Sequence, residues 1–120
     1  MIKNNKRITF CFDLDNIICK TNNSDYKNSK PYKKVIRIIN KLYNKGNTIK
    51  IFTARYMGRN NENVSMLKKK NYKKTFNQLK SWKLKFNILI LGKPSYDVYI
   101  DDKQFGFKKN WLSKFKKQYL

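Results

Sequence analysis

Two carboxylates one residue apart, Asp13 and Asp15, close the apolar run Ile8-Thr9-Phe10-Cys11-Phe12 in a chain with seven acidic residues among 120. Aspartates so placed can act as nucleophile and acid–base partner, or as ligands of a hard cation. Thr53 ends a second uncharged-to-mixed run, Thr48-Ile49-Lys50-Ile51-Phe52. Lys93 follows a third, Asn87-Ile88-Leu89-Ile90-Leu91-Gly92, and Asp101-Asp102 follow a fourth, Val98-Tyr99-Ile100. A hydroxyl, an ammonium and four carboxylates, each just past an apolar run, are the parts of a phosphate site with a carboxylate nucleophile. The chain has no histidine, so Ser-His, Cys-His and His-metal chemistry are excluded. Acid–base work falls to carboxylate, lysine, tyrosine or cysteine.

The elements that must position these groups follow from periodicity. Residues 8–12 read as a buried strand, and 18–30 as a polar, turn-rich flap in which Tyr26 and Tyr32 line the site or simply pack. Pro31 opens a helix over 31–45, with Val35, Ile38, Ile39 and Leu42 on one face and Gly46 as its stop. Strand 48–52, a loop at 56–61, a helix over 62–84 built on Met66, Tyr72, Phe76, Leu79 and Trp82, strands 87–91 and 98–100, and a tail helix within 108–120 complete the chain. The tail's Trp111, Leu112, Phe115 and Tyr119 could cover the sheet's open face. Alternating strands and helices imply one α/β domain over 1–120, Rossmann-like and three-layered, with a mainly parallel sheet and helices on both faces. Ligands of such sheets sit beyond the strands' carboxyl ends. Asp13, Asp15, Thr53, Lys93, Asp101 and Asp102 should therefore converge on one edge. Four carboxylates crowded there repel each other unless a cation is present, and Mg²⁺ suits few carboxylates plus phosphate oxygens. Asp97 reads as a structural anchor of the turn before the fourth strand.

No uncharged stretch approaches the roughly 20 residues needed to span a bilayer, and the basic N-terminus lacks the uninterrupted apolar segment of a signal peptide. A cytoplasmic location is expected. Cys11 and Cys19 match no zinc-ligand spacing and read as small hydrophobes in a reducing compartment. The net charge of +22 points towards anionic partners, nucleic acid included. However, 25 Lys against 4 Arg, with 16 Asn, spread along the whole length, resemble compositional bias more than a shaped binding face. Weak, sequence-blind nucleic-acid binding is expected. A basic nucleic-acid-binding module, or a phosphatase acting on nucleic-acid ends, is the alternative reading.

The order Phe12-Asp13-Leu14-Asp15, Phe52-Thr53, Lys93, Ile100-Asp101-Asp102 resembles the four motifs of the haloacid dehalogenase superfamily of phosphohydrolases. With Thr53-Ala54-Arg55, Met57-Gly58-Arg59 and Gly92-Lys93-Pro94, it looks like the small capless members found with capsule and surface-polysaccharide biosynthesis. The resemblance spans about residues 8–105. It implies that Asp13 is the nucleophile and Asp15 the general acid and base, and that Thr53 and Lys93 hold the phosphoryl oxygens. Mg²⁺ would lie among Asp13, Asp15, Asp101 and Asp102, and the substrate would be a small sugar or polyol phosphate. The segment Thr53, Ala54, Arg55 and the cations Arg59 and Lys103 would meet the substrate, although Arg55, Arg59 and Lys103 read equally well as surface cations. Where the family commonly has Gly and then Thr or Val after the second aspartate, this chain has Asn16 and Ile17; asparagine tolerates the positive φ that glycine supplies. The connections leave no room for a cap domain, so closure over the site would come from the flap, a neighbouring subunit of a homo-oligomer, or the substrate.

Overall fold

The chain forms β1 (Thr9–Asp13), β2 (Cys19–Lys20), a 3-10 turn at Tyr26–Asn28, β3 (Lys30–Pro31), α1 (Lys33–Asn44), β4 (Thr48–Thr53), α2 (Val64–Ser81), β5 (Ile88–Leu91) and α3 (Trp111–Tyr119). This computed structural model describes residues 6–57, 64–94 and 96–120, without the side chains of 64–67. Arg59 and the side chain of Met66 thus lie outside the described residues. The main sheet has the order β1-β4-β5 and is parallel throughout. Its register sets Thr9 against Thr48 and Asp13 against Phe52, then Thr53 against Leu91. The sequence-based expectation of a small α/β domain on a parallel sheet holds.

One device repeats at the lower edge of the sheet. Asn47, just before β4, accepts the backbone N–H of Ile8 at 2.9 Å through Oδ1. Asn87, just before β5, likewise accepts the N–H of Ile49 at 2.7 Å. Each side chain lends the neighbouring strand an acceptor where the ladder would otherwise begin unpaired. A third asparagine, Asn40 on α1, donates to Lys83 O at 2.9 Å and accepts from Lys85 N at 2.7 Å, tying α1 to the segment between α2 and β5.

Burial alternates along β1 and β4 and at the start of β5. Phe10, Phe12, Ile49, Ile51 and Leu89 join the core, whereas Cys11, Lys50, Phe52, Ile88 and Ile90 do not. Register pairs put the first set on one face. There α1 buries Val35, Ile36, Ile38, Ile39 and Leu42, and α3 sets Phe115 against Phe10 and Phe12 at 5.5 and 5.8 Å between ring centroids. Helix α1 has neither a side-chain cap nor an acidic residue in its first turn. A missing cap costs about 1 kcal/mol, while each fully buried aliphatic side chain contributes about 1.5–3 kcal/mol, so burial of this face decides that the helix forms.

Several expectations need correction. Among the described residues no helix covers the opposite sheet face, so α1, α2 and α3 form one layer and the expected third layer is not seen. Pro31 does not open α1. It pairs with Cys19 in the flap hairpin, an edge position where its missing N–H costs no ladder bond, and the helix starts two residues later. Gly46, with φ +96°, does terminate it. Val98-Tyr99-Ile100 is not a strand: Val98 is 74% and Ile100 91% exposed. A three-residue segment gains few ladder bonds, and here the Tyr96 and Tyr99 rings instead gather on Lys93 at 5.2 and 4.9 Å. No helix among the described residues is long and apolar enough to cross a membrane.

Candidate active site

Three strand ends supply the centre. Asp13 closes β1, Thr53 closes β4, and Lys93 follows β5, its backbone N–H donating to Thr53 O at 3.2 Å. Lys93 Nζ thereby lies 3.4 Å from Asp13 Oδ2, while Asp13 Oδ1 accepts the Leu14 N–H at 2.8 Å. Burial pushes the Asp13 carboxyl above its ordinary range; Lys93 and the Leu14 N–H oppose this without cancelling it. Desolvation also acts against the charge on Lys93, yet Tyr96 and Asp13 outweigh it and hold the ammonium on. The pair is therefore an attraction set inside a larger burial cost that falls on the carboxylate.

After Asp13 the chain makes one tight turn around Leu14 and Ile18, both fully buried, with Ile18 N–H donating to Leu14 O at 2.9 Å. Asn16 sits in this turn at φ 69°, the conformation for which asparagine is the best non-glycine choice. The turn delivers Asp15 to a second cluster. Arg55, two residues past β4 and 2% exposed, donates through Nε to both Asp15 oxygens at 3.1 and 3.0 Å and through Nη2 to Oδ1 at 2.9 Å. Thr21 Oγ1 donates to the same Oδ1 at 2.5 Å. Arg55 also reaches Ser29 Oγ at 3.2 Å and Gln78 Oε1 at 2.6 Å, and its guanidinium lies 4.8 Å from the Tyr26 ring centroid.

Expectation and structure divide here. Asp13, Thr53 and Lys93 are brought together, and Asp15 lies beside them by covalent connection. Thr53 is fully buried, and its hydroxyl accepts the Arg55 N–H at 3.1 Å. Arg55 is neither a surface cation nor an open substrate contact; its donors are taken up by Asp15, the flap and Gln78 on α2. Ala54 is half-buried beside it and Lys103 is exposed. Asp101 and Asp102 are exposed. Asp101 accepts Tyr99 OH at 3.1 Å and Lys103 N–H at 2.9 Å, and the Lys103 amide first, then Tyr99, hold its carboxyl below the usual range. Among the described residues no three His, Cys, Asp or Glu side chains come near enough together to hold a metal ion. The donors are thus chemically suited to Mg²⁺, hard oxygens with one under-compensated carboxylate at Asp13, but Asp101 and Asp102 are not grouped with it. Thr21, Ser29 and Gln78 escaped sequence reasoning. Gln78 left a trace, a polar residue on the same α2 stripe as the buried Thr75 and Leu79.

No family model and no curated protein matches the chain. Among solved structures, it is similar to the crystal structure of a structural-genomics target from Vibrio cholerae. The two are 25% identical with a TM-score of 0.72, over 92% of this chain and 98% of that one. This class of small α/β domain on a parallel sheet is accordingly shared with that protein along almost the full length of both.

Proposed function

We propose that this protein is a phosphohydrolase of the haloacid dehalogenase type, working through an aspartyl phosphate on a small sugar or polyol phosphate. The observation that carries the reading is the Asp13 carboxylate at the end of β1 with Lys93 Nζ at 3.4 Å, and a second aspartate two residues on held by a different cation. Asp13 attacks phosphorus as the bond to the leaving oxygen breaks, and Asp15 gives that oxygen its proton. Water then attacks the aspartyl phosphate, Asp15 takes a proton from it, and inorganic phosphate departs. Lys93 neutralises charge on the phosphoryl oxygens. Thr53 fixes the backbone from which Arg55 and Lys93 depart.

Mg²⁺ belongs to this proposal. The Asp13 carboxylate and the Asp15 backbone carbonyl would hold it, and it would supply charge neutralisation at phosphorus; Asp101 and Asp102, exposed and not grouped with Asp13, would have to turn towards it to join them. A cytoplasmic site of action accords with two free cysteines and a soluble metabolite as substrate. The test is phosphate release from a panel of phosphorylated metabolites, with Mg²⁺ and with EDTA, for wild type and Asp13→Asn. Release that needs neither Mg²⁺ nor Asp13 refutes the proposal.

One observation favours a second reading. The helices α1, α2 and α3 contain no acidic residue, which suits a polyanion and thus a nucleic-acid-binding module or a phosphatase for nucleic-acid ends. Oligonucleotides with terminal phosphates in the same panel separate the two.

A further inference from the structure

Arg55 joins three parts of the molecule that the proposed reaction uses separately: the acid–base aspartate, the flap, and α2. It forks onto Asp15 with Nε and Nη2, and its other side-chain bonds run to Ser29 and Cys19 on the flap and to Gln78 on α2. Gln78 passes the connection on, since its Nε2 donates to Tyr26 O on the flap at 2.7 Å. Resting on the phosphohydrolase reading, we propose that Arg55 is a positioning residue which acts on the reaction through Asp15, and that with Gln78 it latches the flap, so that Asp15 is aimed while the flap is seated on α2.

Three features carry the argument. First, a guanidinium 2% exposed, and already neutralised by a carboxylate, is a poor ligand for an incoming phosphate, which would have to break the fork to reach it. Second, the bonds on Asp15 are unequal. Among the described residues, Oδ1 accepts Thr21 Oγ1, Cys19 Sγ and two Arg55 nitrogens, whereas Oδ2 accepts only Arg55 Nε. The flap thus holds the carboxylate by Oδ1 and Arg55 grips both oxygens, which leaves Oδ2, with its single donor among the described residues, the lone-pair capacity for proton work. Third, a buried ion pair gives little stability over a well-packed apolar pair; what it contributes is a single defined arrangement. If the flap lifts, Asp15 loses Thr21, and Arg55 loses Ser29 and the Tyr26 ring together.

The experiment combines kinetics with amide hydrogen exchange. Arg55→Lys keeps the charge without the fork, and Gln78→Met cuts the bridge to the flap while leaving the Arg55–Asp15 pair in place. For Arg55→Lys, kcat on an alkyl phosphate should fall about 100-fold, the scale of a general acid, and far less on 4-nitrophenyl phosphate, whose leaving group needs no proton. KM should stay within about twofold on both. In an Asp15→Asn background the same substitution should cost nothing more in the first step, because it acts through Asp15. In Gln78→Met, amide exchange at 26–29 should rise by about tenfold or more while the rest of the chain is unchanged. A rise in KM with equal kcat losses on both substrates would make Arg55 a phosphate ligand and overturn the positioning role. Unchanged flap exchange in Gln78→Met would overturn the latch. A wild type that turns over no phosphate ester refutes the phosphohydrolase reading and the positioning role with it, while the exchange measurement still decides the latch.

Discussion

Replacing Asn87 by alanine tests whether parallel register is set below the sheet. Asn87 Oδ1 is the acceptor for the Ile49 N–H at 2.7 Å, and the Asn87 N–H donates back to Ile49 O at 2.9 Å. Alanine keeps the second bond and removes the first. Ile49 has no solvent exposure, so water cannot readily replace the lost acceptor, and an unsatisfied buried N–H costs about 1–3 kcal/mol. For a domain of this size, roughly 4 °C of melting temperature follows each kcal/mol, so Asn87→Ala should melt about 4–12 °C below wild type. Asn47→Ala should lose more, because Asn47 Nδ2 also donates to Leu42 O at 3.0 Å. The two share no partner, so their effects should add. Asn87→Asp retains an acceptor and should fall by much less than Asn87→Ala. Urea unfolding followed by circular dichroism gives the free energies. If Asn87→Ala lies within about 0.5 kcal/mol of wild type, the range of an inconsequential surface change, the side chain does not anchor the register.

Asp13→Asn should abolish phosphate release. It should also change stability with pH: the folded Asp13 carboxyl lies above its ordinary 3.8, so the stability this group contributes is complete below that value and is lost as pH rises through the folded value. The asparagine variant should therefore match wild type in acid and exceed it near neutrality; a variant less stable than wild type at pH 7 refutes the burial cost. Lys93→Met removes the main group opposing the rise at Asp13, so the acid limb of the kcat/KM profile should move to higher pH. An unmoved limb would mean that Asp13 does not set it. Binding to DNA or RNA, followed by fluorescence anisotropy, should be weak, indifferent to sequence and steeply weakened by salt; sequence-selective binding surviving at high salt would favour the nucleic-acid module.

The strands of the sheet were legible because each is an uncharged or alternating run that stops at a polar residue, and α1 because Val35, Ile38, Ile39 and Leu42 keep helical spacing. Asp13, Thr53 and Lys93 could be placed together from topology alone. Arg55 could not be placed inside the molecule, since nothing about one arginine in a lysine-dense chain tells a buried cation from a surface one; its burial depends on Asp15, forty residues earlier. The structural asparagines were hidden for the same reason, Asn40, Asn47 and Asn87 being indistinguishable in sequence from the others. Val98-Tyr99-Ile100 has the composition of a strand, but composition does not report that Lys93 competes for the neighbouring tyrosine rings.

The charges of this molecule are sorted by position as well as by number. All six aspartates lie in loops that follow strand ends or at a strand end itself: Asp13, Asp15 and Asp25 after β1, and Asp97, Asp101 and Asp102 after β5, while the three helices have none. The three helices are therefore purely cationic, and the candidate site is built on strand ends and the connections after them. Long-range attraction draws any anion to the helices first. On the proposed reading, a small phosphate ester would be drawn to the protein as a whole, and its final approach would depend on Lys93. A long polyanion would meet three helices without an acidic residue, apart from the strand ends that carry the candidate site.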